Sequence, residues 1–363
     1  MVMDGIPAQE LESALARFRS LLDRDDIDSR QEHSPQAIYT PWVVVWLMVY
    51  QRLHANAPLS DAVSELFRMR EHLPPNRRIT EETLSSNTGA YSTARSRLHP
   101  EIAESVSDQV FQTLMDGSPP SWEGRRAFIM DGTTSALASL DELRREFPPA
   151  PNQHRPSAWP ILHWAVAHEL SSACALRPEI GAKYGPQAVG EVTLAIRMLP
   201  RLPLHSLVMA DRNFGVFVFS HAAQAAGHDV VTRLTEARFK SLVKQARPLG
   251  PGRWELAWKP SRKDRRKHPE LPADACVNVE LHEVQGTDAK GQPLTLWIVT
   301  TLVTTGEKLA ELYHQRLNVE TDIRNAMSGL AGVRSKVGLG GSGEKYQLVL
   351  TGGNPQALAE AAD

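Results

Sequence analysis

Two aspartates stand where short apolar runs give way to polar residues: Asp131 after RRAFIM and Asp211 after HSLVMA. Apolar runs of this length, bounded by charged and turn-forming residues, predict buried strands. Both acids are therefore placed at strand ends, where side chains of an α/β sheet project into a shared crevice. A third carboxylate from a helix packed later in the chain would complete a set of hard oxygen ligands. Such a set suits Mg2+, which contacts protein through a few carboxylates and keeps its other positions for water and substrate phosphates. The chemistry of that site is phosphodiester cleavage or transfer. Strand-end aspartates also cap helices and open turns, so the surrounding residues must carry the distinction.

The elements that would position these acids follow from periodicity. A chain of 363 residues implies two to three units. Residues 1–120 read as an all-helical N-terminal domain, with apolar positions at three- and four-residue spacing. Its clearest element is a helix from Pro41 to about Leu53, with Thr40 as N-cap and proline at the first helical position. Residues 121–235 alternate strands with helices, the pattern of an α/β layer with a partly parallel sheet. Between 236 and 305 strand-like pieces recur without intervening helices, which predicts a β-rich insertion. A helix from Glu307 to about Ser328 follows, and 331–363 form a glycine-rich tail, with eight glycines between Gly329 and Gly353.

Three strings around the acids, MDGTT at 130–134, ADRNFG at 210–215 and YHQRLNVETDIRN at 313–325, together resemble the DDE transposases of the insertion-sequence-four family. That family carries a Tyr-x2-Arg-x3-Glu-x6-Lys signature around its third acid, and Tyr313, Arg316 and Glu320 keep the spacing. The resemblance covers about Arg125 to Lys336. It implies an RNase H-like catalytic core, assembled from 121–235 and 306–330 and interrupted by the insertion. Asp131, Asp211 and Glu320 would be the catalytic triad holding two Mg2+ or Mn2+ ions, and Tyr313 and Arg316 would hold DNA phosphates. The implied activity is metal-dependent hydrolysis and strand transfer at the ends of an insertion sequence. The implied partners are double-stranded DNA, both terminal inverted repeats and target, and a second copy of the chain on synapsis. Location would be the bacterial cytoplasm, at the nucleoid when DNA is bound. The chain departs from the family at Met327, where the signature has lysine, and in its divergent glycine-rich end. Two alternatives follow: a catalytically impaired remnant that still binds DNA, or an RNase H-like nuclease without end specificity.

Charge placement adds a DNA-binding candidate. The chain is nearly neutral, with 40 Lys+Arg against 42 Asp+Glu, yet residues 233–267 hold 12 bases against 3 acids. Six of those bases, Lys259, Arg262, Lys263, Arg265, Arg266 and Lys267, are concentrated in one short run. Phosphate neutralisation by such a run gives salt-dependent, sequence-independent affinity, although a solvated loop has the same composition. Trp254, Trp258 and Trp297 lie on strands in or beyond this stretch, as core aromatics or as platforms for a displaced base. His154, His163 and His168 lack the ligand spacing of a zinc site, and GLGGSGEK lacks the ending of a phosphate-binding P-loop. Two cysteines without a C-x-x-C pair exclude a disulfide scaffold and fit a reducing compartment. The longest apolar block, Trp42 to Tyr50, is too short for a membrane span.

Overall fold

The computed structural model describes residues 8–54, 57–73, 76–151, 159–172, 174–287, 293–315, 333–336 and 347–350. Its backbone divides into two compact units, the first running to Gly117 and the second starting at Ser118. No described helix is long and apolar enough to cross a membrane.

The first unit is helical: α1 (Ala8–Leu21), α2 (Arg24–Ser29), α3 (Pro41–Leu53), α4 (Leu59–Arg68), α5 (Arg77–Thr80), α6 (Gly89–Arg97) and α7 (Pro100–Gly117). Helix α3 has the expected bounds, but its cap differs. The Thr40 side chain makes no capping hydrogen bond; instead the Trp42 amide donates to Asp28 Oδ1 at 2.8 Å. An acid from α2 thus does what the adjacent threonine would have done. Seven of the first nine residues of α3 are fully buried. Phe18 packs on Trp42 and Trp46 at ring distances of 5.1 and 5.2 Å.

The second unit is mixed α/β around one nine-stranded sheet. Along the chain run β1 (Ala127–Ala136), α8 (Asp141–Glu146), β2 (Ile161–Glu169), β3 (Ala175–Ala182), α9 (Glu191–Met198), β4 (Leu207–Ala210), α10 (Phe217–Ala225) and β5 (Asp229–Arg233). Then come α11 (Glu236–Val243), β6 (Arg247–Gly250), β7 (Arg253–Trp258), α12 (Arg262–Lys267), β8 (Val277–Thr287), β9 (Pro293–Thr300) and α13 (Gly306–His314). Two further short strands, β10 (Val333–Lys336) and β11 (Gln347–Leu350), pair with each other within the stretch read as a glycine-rich tail. The large sheet has the order β3-β2-β1-β4-β5-β9-β8-β7-β6. Strand β2 runs antiparallel to both β1 and β3, whereas β4 and β5 run parallel to β1.

Three features correct the sequence reading. Strand β1 does not end at Asp131, because its antiparallel ladder with β2 continues to the Ala136↔Ile161 pair. Strand β3 carries Pro178, which removes an amide and hides the strand pattern; it is tolerated because β3 is the edge of the sheet. The stretch 236–305 also holds two helices, α11 capped by Thr235 and α12 closed by a Ser261–Asp264 capping box. Its strands join the main sheet, since β9 pairs antiparallel with β5. Its core contains Phe217, Phe239, Leu256, Trp258 and Val277.

Candidate active site

Backbone register brings the first two acids together. In the parallel β1–β4 ladder the last pair is Met130↔Ala210, so Asp131 and Asp211 follow side by side, on chains about 4.8 Å apart. Both are buried, 3% and 5% exposed. Asp131 Oδ1 accepts from the Gly132 amide at 2.9 Å and Asp211 Oδ1 from the Asn213 amide at 2.7 Å. These short-range bonds fix each carboxylate at the point where β1 loses its β4 partner.

An open polar cavity of about 400 Å³ lies against this pair, lined by Asp131, Thr133, His163, Lys183, Glu191 and Asp211 among others. Glu191 is the residue that sequence reasoning missed. It is the first residue of α9, and its side chain lies across Gly132 so closely that a Cβ there would meet its Cγ at 2.5 Å. The sequence signal was faint: a glycine after Asp131 and an acid opening a helix, 59 residues apart. Burial, and secondly the negative charge of Asp211, hold the Glu191 carboxyl above the ordinary glutamate range. The charge of Lys183 and hydrogen bonds from Gly132 and Asn213 offset this only in part. Arg233 ends β5 one position past the Ala210↔Thr232 pair, the last of the β4–β5 ladder.

The remaining predicted residues fall as follows. Tyr313 is on α13 and buried, 8% exposed, next to Leu309 and Leu312 on the face of the helix turned to the core. This placement suits packing better than a phosphate contact at the surface. Arg316, Glu320 and Met327 lie outside the described residues, as does His154. Among the described residues no group of three or more His, Cys, Asp and Glu is arranged to hold a metal ion. Of the basic run, Lys259, Arg262, Lys263, Arg266 and Lys267 are exposed. Arg265 is half-buried and donates to the carbonyls of Pro272 and Ala273 at 3.1 and 2.8 Å. The tryptophans act in packing: Trp258 is buried edge-on to Phe217 at 5.8 Å, Trp254 edge-on to Phe239 at 5.6 Å, and Trp297 is partly buried against the same core.

No protein-family model matches the chain, and a search of the curated proteins finds no match. Among solved structures there is a likeness to endonuclease V of Ciona intestinalis, in complex with a 23mer DNA containing an inosine followed by a ribo-adenosine. It has 11% identity and a TM-score of 0.22, and covers 59% of this chain and 88% of that one. A TM-score this low supports no conclusion about fold or chemistry.

Proposed function

We propose that the second unit is a metal-dependent DNA-processing enzyme with an RNase H-like core, and that it acts as a DDE transposase. The observation that carries this reading is the register that sets Asp131 and Asp211 side by side at the end of the β1–β4 ladder, against one polar cavity. The order β3-β2-β1-β4-β5, with three antiparallel strands followed by two parallel to the first, supports the core assignment. The sequence strings around both acids and the Tyr313, Arg316, Glu320 spacing support the finer assignment.

Asp131 and Asp211 are two buried carboxylates of the kind a hard divalent cation takes as ligands, and beside them burial, and secondly the charge of Asp211, disfavour ionisation of Glu191. Asp131 and Asp211, with Glu320 as the expected third acid, would hold Mg2+ or Mn2+. When bound, such ions lower the pKa of an attacking water and stabilise the leaving oxygen. Hydrolysis breaks a phosphodiester bond and leaves a 3′-hydroxyl on one fragment and a phosphate on the other. In transfer, that 3′-hydroxyl replaces water as the nucleophile. The chain's own residues contribute orientation: the amides of Gly132 and Asn213 fix the two aspartates. The exposed bases of α12 and Lys259 would hold the DNA backbone outside the reacting centre. A second copy of the chain would hold the second DNA end.

The test is nicking of plasmid DNA in Mg2+ by the intact protein and by Asp131→Asn and Asp211→Asn. Both variants should bind DNA and fold normally while losing nicking to below detection. Unchanged nicking in either variant sinks the site. Equal nicking of duplexes with and without the element's terminal repeats would leave a nuclease and remove the transposase.

A further inference from the structure

The cavity carries a cation as well as acids. Lys183 follows β3 and lines the cavity with Asp131, Glu191 and Asp211; its charge acts on Glu191, but among the described residues it makes no contact ion pair. Its Nζ lies 3.4 Å from His163 Nε2. His163 is 2% exposed, and its other ring nitrogen, Nδ1, is 2.8 Å from the Val189 carbonyl. A carbonyl only accepts, so Nδ1 must carry the proton and donate. A neutral ring then has its lone pair on Nε2, aimed at Lys183. Burial, together with the neighbouring ammonium, keeps His163 below its ordinary value and so in this neutral form. A buried imidazole fixed by the backbone therefore holds the lysine ammonium at the cavity without neutralising it.

Near an acid-lined pocket an ammonium would ordinarily collapse onto a carboxylate. Held instead by a neutral partner, it keeps two donor hydrogens for something else. The hydroxyl of Thr133, 4% exposed on the same lining, has no hydrogen-bond partner among the described residues. A cation that acts on Glu191 through its charge but makes no contact ion pair among the described residues, and a buried hydroxyl beside it, fit a ligand that brings negative oxygens of its own.

We propose that Lys183 is a phosphate-contacting residue of the cavity, binding a non-bridging oxygen of the nucleic-acid backbone, and that His163 is the positioning residue that aims it. This rests on the phosphodiester reading of the site and adds to it the group that holds the substrate phosphate. Because Lys183 touches the phosphate before any bond changes, its loss acts on binding first.

The experiment measures affinity of the full chain for a labelled duplex across a salt series in Ca2+, together with nicking in Mg2+. The variants are Lys183→Ala, Lys183→Arg, His163→Ala and His163→Gln. Lys183→Ala should weaken duplex affinity roughly 10-fold or more and lower the slope of log affinity against log salt by about 0.9, while Lys183→Arg retains most of both. His163→Ala should raise KM more than it lowers kcat, and His163→Gln, which can still accept from the lysine, should recover part of the loss. Unchanged affinity and salt slope in Lys183→Ala, in a chain that nicks DNA, overturns the inference and leaves the proposed function standing. If the intact chain does not nick DNA, the function fails separately. Lys183 is then judged by pyrophosphate binding: loss of that binding in Lys183→Ala supports the phosphate contact, and no binding by the intact chain overturns it.

Discussion

Glu280 on β8 and Glu191 on α9 are glutamates of one sheet unit with opposite surroundings. Glu280 receives Arg253 Nη2 on Oε1 at 2.7 Å and Nε on Oε2 at 2.9 Å, and His282 Nε2 approaches Oε2 at 3.0 Å. Both oxygens are used, and the nearest charges are cationic. Glu191 is buried beside the like charge of Asp211, which Lys183 offsets only in part, and Asn213 reaches it only at 3.4 Å. A titratable cluster whose hydrogen bonds close on themselves is built for the fold, whereas one left open is built to receive something. Residue type alone does not separate the two.

The sharpest way to break this comparison is to open the closed cluster. Glu280→Gln removes the carboxylate from a guanidinium and a buried imidazole at once, and should destabilise the second unit by about 2–3 kcal/mol. Arg253 is a third exposed, so water compensates part of the loss. Urea denaturation gives the size, and DNA binding per folded molecule should not change. A small stability loss accompanied by a large loss of binding would mean that the closed cluster is the functional one.

A second effect belongs to His282, which burial holds below its ordinary value. Its folded form resists protonation that the unfolded chain accepts. Stability is therefore present above about pH 6.5 and lost as pH falls below it. His282→Asn should flatten this acid limb, measured as Tm between pH 7 and 5.

What was legible in the sequence depended on how local the cause was. Helix α3 and strands β2, β4 and β5 were visible because apolar runs and their flanking turn residues lie next to one another. The continuation of β1 past Asp131 was not, because it depends on pairing with β2 some 30 residues away. The joining of the presumed insertion to the main sheet depends on a β5–β9 pair nearly 70 residues apart. Asp131 and Asp211 were legible as acids after strands. Glu191 and Lys183 were not, because Glu191 announces only a helix start and Lys183 follows a strand whose pattern Pro178 hides.

Gly132 tests whether Glu191 belongs to the cavity. A Cβ at this position would lie 2.5 Å from Glu191 Cγ and Oε1, so Gly132→Ala must push the carboxylate away. Overpacking of this kind costs about 1–2 kcal/mol. Because the obstacle is one flexible side chain, Gly132→Ala with Glu191→Ala should be more stable than the sum of the single changes predicts. Additive losses would place the clash elsewhere.

The smallest effect is the most specific. Glu191 has its folded pKa raised by burial and by Asp211, so protonation of this group favours the folded state. Its contribution is complete below the ordinary glutamate value of about 4.3 and is lost as pH rises through the folded value. Above the folded value the ionised carboxylate therefore opposes folding. Glu191→Gln keeps the shape and an acceptor oxygen for the Asn213 amide but carries no charge against Asp211. It should raise stability at pH 7 by up to about 1 kcal/mol, with the difference closing as pH falls toward 4. Paired Tm measurements at the two pH values read this directly. Mg2+ added at pH 7 should narrow the same gap by relieving the repulsion in the parent chain. A gap that ignores pH would show that neither burial nor the charge of Asp211 acts on the Glu191 carboxyl, and the cavity would lose the electrostatic contrast with Glu280.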